Sequence, residues 1–85
     1  MMVIVWDERK RLANIEKHGL DFADLTAEFF LTATFVPAHS GRRAAVGVLE
    51  SGVVTTIYYE LGAEALSVIS LRPASKKERA IHEGI

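Results

Sequence analysis

Apolar and polar positions follow two different patterns along the 85-residue chain, and the change falls near residue 32. Before it, apolar residues recur every three or four positions, which is typical of helices packed against a core. After it, β-branched residues alternate with polar ones over short runs, which is typical of strands. The pattern therefore predicts helices mainly in the first part of the chain and a sheet mainly in the second.

The chain is predicted to begin with a short strand and a helix. Val3 to Trp6 is a β-prone apolar run. Asp7 follows it and is a suitable N-cap for a helix over residues 8–18. Gly19 comes directly after this segment and can adopt the left-handed conformation that commonly ends a helix. Both ends of the first helix are thus marked in the sequence.

A second helix is predicted to follow at once. Asp21 can cap it, and Leu20 and Leu25 have the spacing of a hydrophobic staple. The helix is expected to end near Leu31. Its apolar face is formed by Phe22, Leu25 and Phe29.

The strands of the second part are separated by turn residues. A short run reaches Val36, where Pro37 ends it because proline cannot donate to a ladder. Arg43 to Leu49 and Val53 to Glu60 follow, and the tight turn between them at Ser51-Gly52 is typical of an antiparallel hairpin.

A second turn, at Gly62 and Ala63, leads to a strand from Ala65 to Leu71, so three consecutive strands are expected to form a meander. Side chains of a strand alternate between the two faces of its sheet. This alternation should separate two sets of residues in the middle strand, one of Val54, Thr56 and Tyr58 and the other of Val53, Thr55 and Ile57.

The chain closes with a helix that has a clear start signal. Ser75 and Glu78 have the S-x-x-E spacing of a capping box, and the helix should extend to about Glu83. Helices, then strands, then a helix predict an α+β fold in which the helices pack on one face of an antiparallel sheet. Residues 1–85 are expected to form a single domain.

Composition excludes several classes of protein. The chain has no cysteine, so a disulfide framework or a cysteine zinc site is not available, and a reducing, cytoplasmic location is expected. His18, His39 and His82 lack metal-ligand spacing, and no metal or cofactor is expected. His39 and His82 are expected to be exposed. The apolar residues, 49% of the chain, indicate either a dense core or a surface that a partner covers.

The net charge of −1 conceals two basic segments. Residues 72–79 hold four basic residues against one acid, and residues 9–18 have the same balance. Such segments can bind phosphates on a neutral protein, because screening confines the relevant field to about 8–10 Å. The alternative is that both are solvated helix faces.

Three stretches of the sequence resemble the BrnT toxins. They are Trp6-Asp7 with Asn14-x-x-Lys17-His18-Gly19-x-x-Phe22, then Arg42-Arg43 leading into a strand with Gly47, then Ile69-Ser70-Leu71-Arg72-x-Ala74-Ser75-Lys76-Lys77-Glu78-Arg79. The chain departs from the family at Pro73, where Arg or Lys is usual, and near Ile81 and His82, where a Tyr is usual.

The resemblance implies a RelE-like fold and a toxin of a type II toxin–antitoxin system. Such a toxin inhibits translation by cutting RNA without a metal ion. A ribbon-helix-helix antitoxin of the BrnA type would neutralise it, and the complex would repress its own promoter through the antitoxin's contact with DNA. No membrane is involved in this function.

Metal-free RNA cleavage needs a proton acceptor for the ribose 2′-OH, cations for the phosphate and a donor for the departing 5′-oxygen. Arg72 at the end of the last predicted strand suits phosphate stabilisation, because its planar fork can bind two oxygens. The alternative for Arg72 is a surface residue capping the sheet. Glu78 is a candidate base, although the capping box already explains its position.

The other candidates lie in the same three stretches. Lys76, Lys77 and Arg79 could bind the RNA backbone. Arg42 and Arg43 enter a strand, so at most one of them should reach the site. Lys17 and His18 are candidates for proton transfer, and the pKa usual for histidine suits that role. Both also have a structural explanation, since cations stabilise a helix C-terminus.

Two other functions remain open at this stage. The protein could be an RNA-binding module that has lost its chemistry, which the missing Tyr and Pro73 would explain. It could also serve only to tether a DNA-binding partner. Cleavage of RNA would support the ribonuclease toxin, and binding without cleavage would support the RNA-binding module. Neither binding nor cleavage would support the tethering protein.

Overall fold

The computed structural model describes residues 2–84, which form a five-stranded sheet, three α-helices and one turn of 3-10 helix. The strands are β1 (Val3–Trp6), β2 (Thr34–Val36), β3 (Arg43–Leu49), β4 (Gly52–Leu61) and β5 (Ala65–Pro73). The helices are α1 (Glu8–His18), α2 (Ala27–Thr32) and α3 (Lys76–Glu83). Every predicted strand is present, and the α+β class is confirmed.

Helix α1 begins and ends where the sequence indicated. The Asp7 carboxylate accepts a hydrogen bond from the Arg9 N–H at 2.8 Å. At the other end Gly19 has a φ of 70° and donates its N–H to the Ile15 carbonyl at 2.7 Å. Capping residues of these two types therefore fix the length of the helix.

The prediction of one continuous second helix is wrong, because the segment is broken in two. Asp21 does act as a cap and accepts from the Ala23 N–H at 2.9 Å, but its helix is a single 3-10 turn of three residues. Leu25 is then extended. The Thr26 hydroxyl accepts from the Phe29 N–H at 3.2 Å and starts α2 as a new helix. A second cap inside the segment thus restarts the helix.

The strands are arranged in the order β1-β5-β4-β3-β2. The meander of β3, β4 and β5 is antiparallel as predicted, and β2 extends it antiparallel to β3. At the far edge, β1 runs parallel to β5, with Val3 opposite Ala65 and Trp6 opposite Val68. The sheet is therefore mixed, and the prediction of a purely antiparallel sheet is wrong at this edge. No hairpin joins β1 to β5, so no turn forces them to be antiparallel.

Strand pairing assigns each residue of β4 and β5 to a face of the sheet. Thr56 lies opposite Leu71, and Thr55 lies opposite Arg72. Because paired residues share a face, Leu71 points to the side of Thr56 and Arg72 to the other side. We call the side of Leu71 the core face and the side of Arg72 the outer face. The alternation predicted for β4 is confirmed.

A bulge at Ile69 adjusts this alternation. The register moves from Ile57 opposite Ser70 to Tyr58 opposite Val68, so Ile69 has no opposite residue in β4. The extra residue allows Val68 and Leu71, which are three positions apart, both to point to the core face.

The core lies between the core face and the first half of the chain. Phe30 packs edge-on against Tyr58, with ring centroids 5.3 Å apart. Phe29 covers Gly47, whose missing side chain leaves room for the ring. The buried apolar residues of this cluster are Leu20, Phe22, Leu25, Phe29, Phe30, Ala45, Val54, Tyr58, Leu66, Val68 and Leu71.

Asn14 is a buried polar residue that joins α1 to the edge of β5. Strand β1 pairs only as far as Val68, so the N–H and C=O of Leu71 have no strand partner on that edge. The Asn14 amide pairs with both of them, at 3.0 and 2.8 Å, and also donates to the Leu20 carbonyl at 2.9 Å. A single amide side chain therefore continues the ladder where β1 ends.

Helix α3 packs on the outer face, so the prediction that all helices share one face is wrong. Glu78 bonds Thr55, and His82 lies 2.9 Å from the Thr34 hydroxyl. Both threonines belong to the outer face by strand pairing. A short connection at Ala74 and Ser75 joins the end of β5 to α3. The helix then lies across the strands on the outer face. His82 is therefore partly buried rather than exposed.

Within residues 2–84, no helix is both long and apolar enough to cross a lipid bilayer.

Candidate functional site

Arg72 and Glu78 bind each other at two points where β5 meets α3. The Arg72 Nη1 donates to Glu78 Oε1 at 2.7 Å, and Nη2 donates to Oε2 at 2.9 Å. The Arg72 side chain remains 36% exposed, and that of Glu78 is 18% exposed. The paired fork is thus fixed in direction but still reachable from solvent, which a purely buried ion pair would not be.

The Glu78 carboxylate accepts four hydrogen bonds, three at Oε1 and one at Oε2. Besides Arg72 it accepts the Ser75 N–H at 2.8 Å and the Thr55 hydroxyl at 3.0 Å. The pKa of Glu78 is lowered to about 2, mainly by the hydrogen bonds from the Arg72 guanidinium. Burial raises this pKa, and the bonds from Ser75 and Thr55 lower it further. A carboxylate with so low a pKa is a weak proton acceptor at neutral pH.

The capping box predicted from Ser75 and Glu78 is present and has a second role. Ser75 accepts from the Glu78 N–H at 3.1 Å while Glu78 returns a bond to the Ser75 N–H. The rotamer that closes the box also presents the carboxylate to Arg72. The start of α3 and the orientation of Arg72 are therefore set by the same side chain.

Helix α3 crosses the outer face along one row of paired residues. Arg72, Thr55, Val46 and Thr34 are opposite one another in successive strands. Glu78 contacts the first two of these residues, and His82, one turn later, contacts Thr34. The helix therefore runs perpendicular to the strands, with its basic N-terminal turn next to Arg72.

The basic residues of α3 are on the solvent side of the helix. Lys76, Lys77 and Arg79 are exposed, and none of them forms an ion pair within the described part of the chain. Together with Arg72 they form a cationic cluster at the start of α3. All four residues lie where β5 meets the first turn of α3, and a role for them in RNA binding stays a prediction.

Arg42 and Arg43 point to opposite faces of the sheet, as their adjacent positions predicted. Arg43 lies opposite Tyr58 on the core face and pairs with Glu60 at 2.7 Å. Arg42 donates its Nε to the Tyr59 hydroxyl at 3.1 Å on the outer face. Of the two, only Arg42 shares the face of Arg72.

Lys17 and His18 end α1 at the same end of the sheet as Arg72. Asn14 is bonded to Leu71, and His18 follows it by one helical turn, or about 6 Å along the axis. Lys17 is exposed and His18 is partly buried. Within residues 2–84, neither side chain bonds Arg72 or Glu78.

Sequence reasoning missed two residues of the outer face. Thr55 is fully buried and holds the Glu78 carboxylate, and Tyr59 is an exposed aromatic that bonds Arg42. Both lie in the set of β4 residues that alternation separates from the core, together with Ile57. The signal was the alternation of β4, which places Thr55 and Tyr59 on the face opposite the core.

A groove of about 1280 Å³ lies at the other end of the sheet, where it is lined by residues of α2, β2 and the β4–β5 turn. It includes Arg42 and Arg43 but not Arg72. In residues 2–84, no group of three or more acidic or histidine side chains could hold a metal ion. The candidate site is therefore a surface cluster, which suits a large substrate better than a small one.

Comparison with known proteins gives a consistent result. The family described as "Ribonuclease toxin, BrnT, of type II toxin-antitoxin system" matches residues 6–78. The crystal structure of the Brucella abortus ribonuclease toxin BrnT is similar, with a TM-score of 0.81 and 51% sequence identity over 89% of this chain and 100% of that chain. No curated protein matches. The resemblance seen in the motifs is confirmed, and the chain belongs to the BrnT family of ribonuclease toxins of type II toxin–antitoxin systems.

Proposed function

We propose that this ribonuclease toxin cuts RNA without a metal ion, at the cationic cluster formed by Arg72 and the start of α3. The observation that carries the proposal is the partly exposed guanidinium of Arg72, which Glu78 holds through Nη1 and Nη2 beside three exposed basic residues of α3. This arrangement supplies directed cations, and among residues 2–84 no carboxylate cluster of the kind that metal-dependent nucleases use accompanies them.

The proposed reaction is attack of a ribose 2′-oxygen on the adjacent phosphorus. The new 2′-O–P bond forms, the P–O5′ bond breaks, and the proton of the 2′-OH goes to a base while the 5′-oxygen takes up a proton. The products are a 2′,3′-cyclic phosphate and a 5′-hydroxyl. Arg72 would stabilise the charge that grows on the phosphate oxygens in the transition state.

The roles of the remaining candidates follow from their surroundings. Glu78 would orient Arg72, since its carboxylate is occupied by four donors. Its alternative role as the base stays a prediction. Lys17 and His18 are proposed for proton transfer, because they lie at the same end of the sheet as Arg72. Lys76, Lys77 and Arg79 would bind the RNA backbone, as would Arg42.

The type II system also implies a protein antitoxin. We propose that this antitoxin is a ribbon-helix-helix protein of the BrnA type, that the toxin inhibits translation in the cytoplasm, and that it reaches DNA only through the antitoxin. The RelE-like assignment of the fold belongs to the same set of proposals. A short neighbouring gene for a ribbon-helix-helix protein would support this pairing.

The test is cleavage of RNA by purified protein in the presence of excess EDTA. We expect cleavage at an undiminished rate and fragments with 5′-hydroxyl ends, which a polynucleotide kinase can label without prior dephosphorylation. Fragments with 5′-phosphate ends, or loss of cleavage in EDTA that Mg²⁺ restores, would contradict the proposed mechanism. Binding of RNA without any scission would instead support a non-catalytic module.

A further inference from the structure

The outer face of the sheet is only partly covered by α3. The helix lies over the row from Arg72 to Thr34, and beyond that row, within residues 2–84, the outer-face residues of β1, β4 and β5 stay exposed or only partly buried. Strand pairing places eight residues on this uncovered part, which we call the open sheet face: Val3, Val5, Ile57, Tyr59, Leu61, Ala65, Ser67 and Ser70. Each of them is exposed or only partly buried.

The open sheet face carries no negative charge from the strands. Among the described residues of the five strands, no Asp or Glu side chain points to the outer face. Glu60 points to the core face, where Arg43 neutralises it. Two arginines border the face instead: Arg72, whose charge is paired with Glu78 of α3, and Arg42, which has no carboxylate partner within residues 2–84. Arg42 therefore gives its end of the face a local positive charge that favours a phosphate.

Tyr59 is held in place at the far end of this face. Its hydroxyl accepts the Nε–H of Arg42 at 3.1 Å, and the guanidinium carbon lies 5.9 Å from the ring centroid. Tyr59 as a whole remains 36% exposed. The bond to Tyr59 uses only Nε. The two terminal nitrogens of Arg42 have no acceptor within residues 2–84. A fixed aromatic ring beside a guanidinium with open donors is a combination used to bind a base and its phosphate.

The distance between the two arginine positions suits a short run of single-stranded RNA. Arg72 is opposite Thr55 in β4, and Tyr59 follows Thr55 by four residues, or about 13 Å along the strand. The surface between them is formed by Ile57 and Ser70, which are paired and only partly buried. Nothing in the described strands blocks an extended chain along this line.

We propose that the open sheet face binds the RNA segment next to the cleaved phosphate, with one base stacked on Tyr59 and one phosphate bound by Arg42. The inference rests on the proposed function and adds the path of the substrate. A protein partner would use the apolar residues Val5 and Leu61, but the open donors of Arg42 and the absence of an acidic side chain among the described strand residues of this face favour nucleic acid over an apolar docking segment.

The chain provides a matched control for this proposal. Arg42 and Arg43 are adjacent and exposed, and they differ in the face to which they point. Arg42→Gln and Arg43→Gln remove the same charge. Tyr59→Leu removes the ring, whereas Tyr59→Phe keeps the ring and removes the hydroxyl.

The experiment measures binding by fluorescence anisotropy with a short, mixed-sequence RNA whose 2′-hydroxyls are methylated, so that it cannot be cleaved. Kinetics with unmodified RNA follow in parallel. Arg42→Gln and Tyr59→Leu should each raise the Kd and the KM about tenfold or more, with kcat within about threefold. Arg43→Gln should bind RNA within about threefold of the wild type. Tyr59→Phe should bind more weakly than the wild type but better than Tyr59→Leu, because it keeps the ring and loses the hydroxyl that holds Arg42.

Equal weakening by Arg42→Gln and Arg43→Gln, or unchanged binding by Tyr59→Leu, would overturn the proposal. Loss of antitoxin binding without loss of RNA binding would show that the face belongs to the protein partner and would overturn it as well. The anisotropy measurement does not depend on cleavage. A wild type that cleaves no RNA would contradict the proposed function, but the binding data would still test the path of the RNA.

Discussion

Arg72 and Glu78 form a two-point ion pair that joins the last strand to the first turn of the last helix, with N–O distances of 2.7 and 2.9 Å. The same carboxylate closes the capping box of α3 and accepts the Thr55 hydroxyl. Burial and hydrogen bonding of this kind make the pair geometrically specific. The Glu78 side chain thus sets three features: the direction of Arg72, the start of α3 and the packing of α3 on the sheet.

The first prediction concerns stability against acid. The pKa of Glu78 is about 2 in the folded protein and 4.5 ordinarily, so the ionised form is favoured by folding. Its contribution is complete above about pH 4.5 and is lost as the pH falls to about 2. We expect Glu78→Gln to lower the free energy of unfolding by about 2 kcal/mol at pH 7, a figure reduced for the exposure of Arg72.

Urea unfolding at pH 7 and pH 2.5 measures this effect, with the exposed Glu64→Gln as a control that should change little at either pH. The difference between wild type and Glu78→Gln should shrink at the lower pH. A difference of the same size at both values would contradict the link between the ion pair and the pKa.

The second prediction concerns the buried amide of Asn14. Asn14→Asp keeps the shape but places an acceptor where Nδ2 donates to the carbonyls of Leu20 and Leu71. Two buried carbonyls would lose their donor, and we expect a loss of about 2–4 kcal/mol in the free energy of unfolding. Thermal and urea unfolding measure it, and Glu16→Gln on the exposed side of the same helix should be close to neutral. Equal stability of Asn14→Asp and wild type would mean that the amide bonds contribute nothing.

The third prediction concerns the contact between Gly47 and Phe29. A Cβ at residue 47 would lie 2.6 Å from Phe29 Cε2 and 2.9 Å from Cζ. Phe29 is buried, so the ring cannot move into solvent. Gly47→Ala should therefore cost about 1–3 kcal/mol through overpacking.

A double-mutant cycle tests the cause of that loss. Phe29→Leu should cost less stability in the Gly47→Ala background than in the wild type, because the smaller side chain relieves the clash. Val48→Ala, at the exposed neighbouring position, should stay within about 0.5 kcal/mol of the wild type. Additive effects of Gly47→Ala and Phe29→Leu would contradict the contact.

Much of the fold could be predicted because its signals are local. Asp7 and Gly19 mark the ends of α1, and the Ser75 capping box marks the start of α3 at the residue found in the structure. Turn residues likewise separate the strands of the meander. The break between the 3-10 turn and α2 was missed, because Asp21 and Thr26 are both good caps and propensity alone does not say which one prevails.

The packing could not be predicted from the same signals. The parallel pairing of β1 with β5 and the position of α3 on the outer face depend on contacts between distant segments, such as Asn14 with Leu71 and Glu78 with Thr55. The basic cluster of the site was predicted because it lies in one stretch of sequence. Tyr59 was missed because its link to Arg42 spans the hairpin and forms only when the strands pair.

The central claim is that Arg72 acts on the phosphate while Glu78 orients it, and the most direct test compares RNA cleavage by Arg72→Lys and Glu78→Gln under conditions where both are folded. Lysine keeps the charge and loses the fork, so Arg72→Lys should cleave about 100-fold or more slowly. Glu78→Gln should stay within about tenfold of the wild type, since loss of a true general base costs about 10²–10⁴-fold. A Glu78→Gln protein that is folded but inactive, beside an Arg72→Lys protein that cleaves at the wild-type rate, would contradict the account.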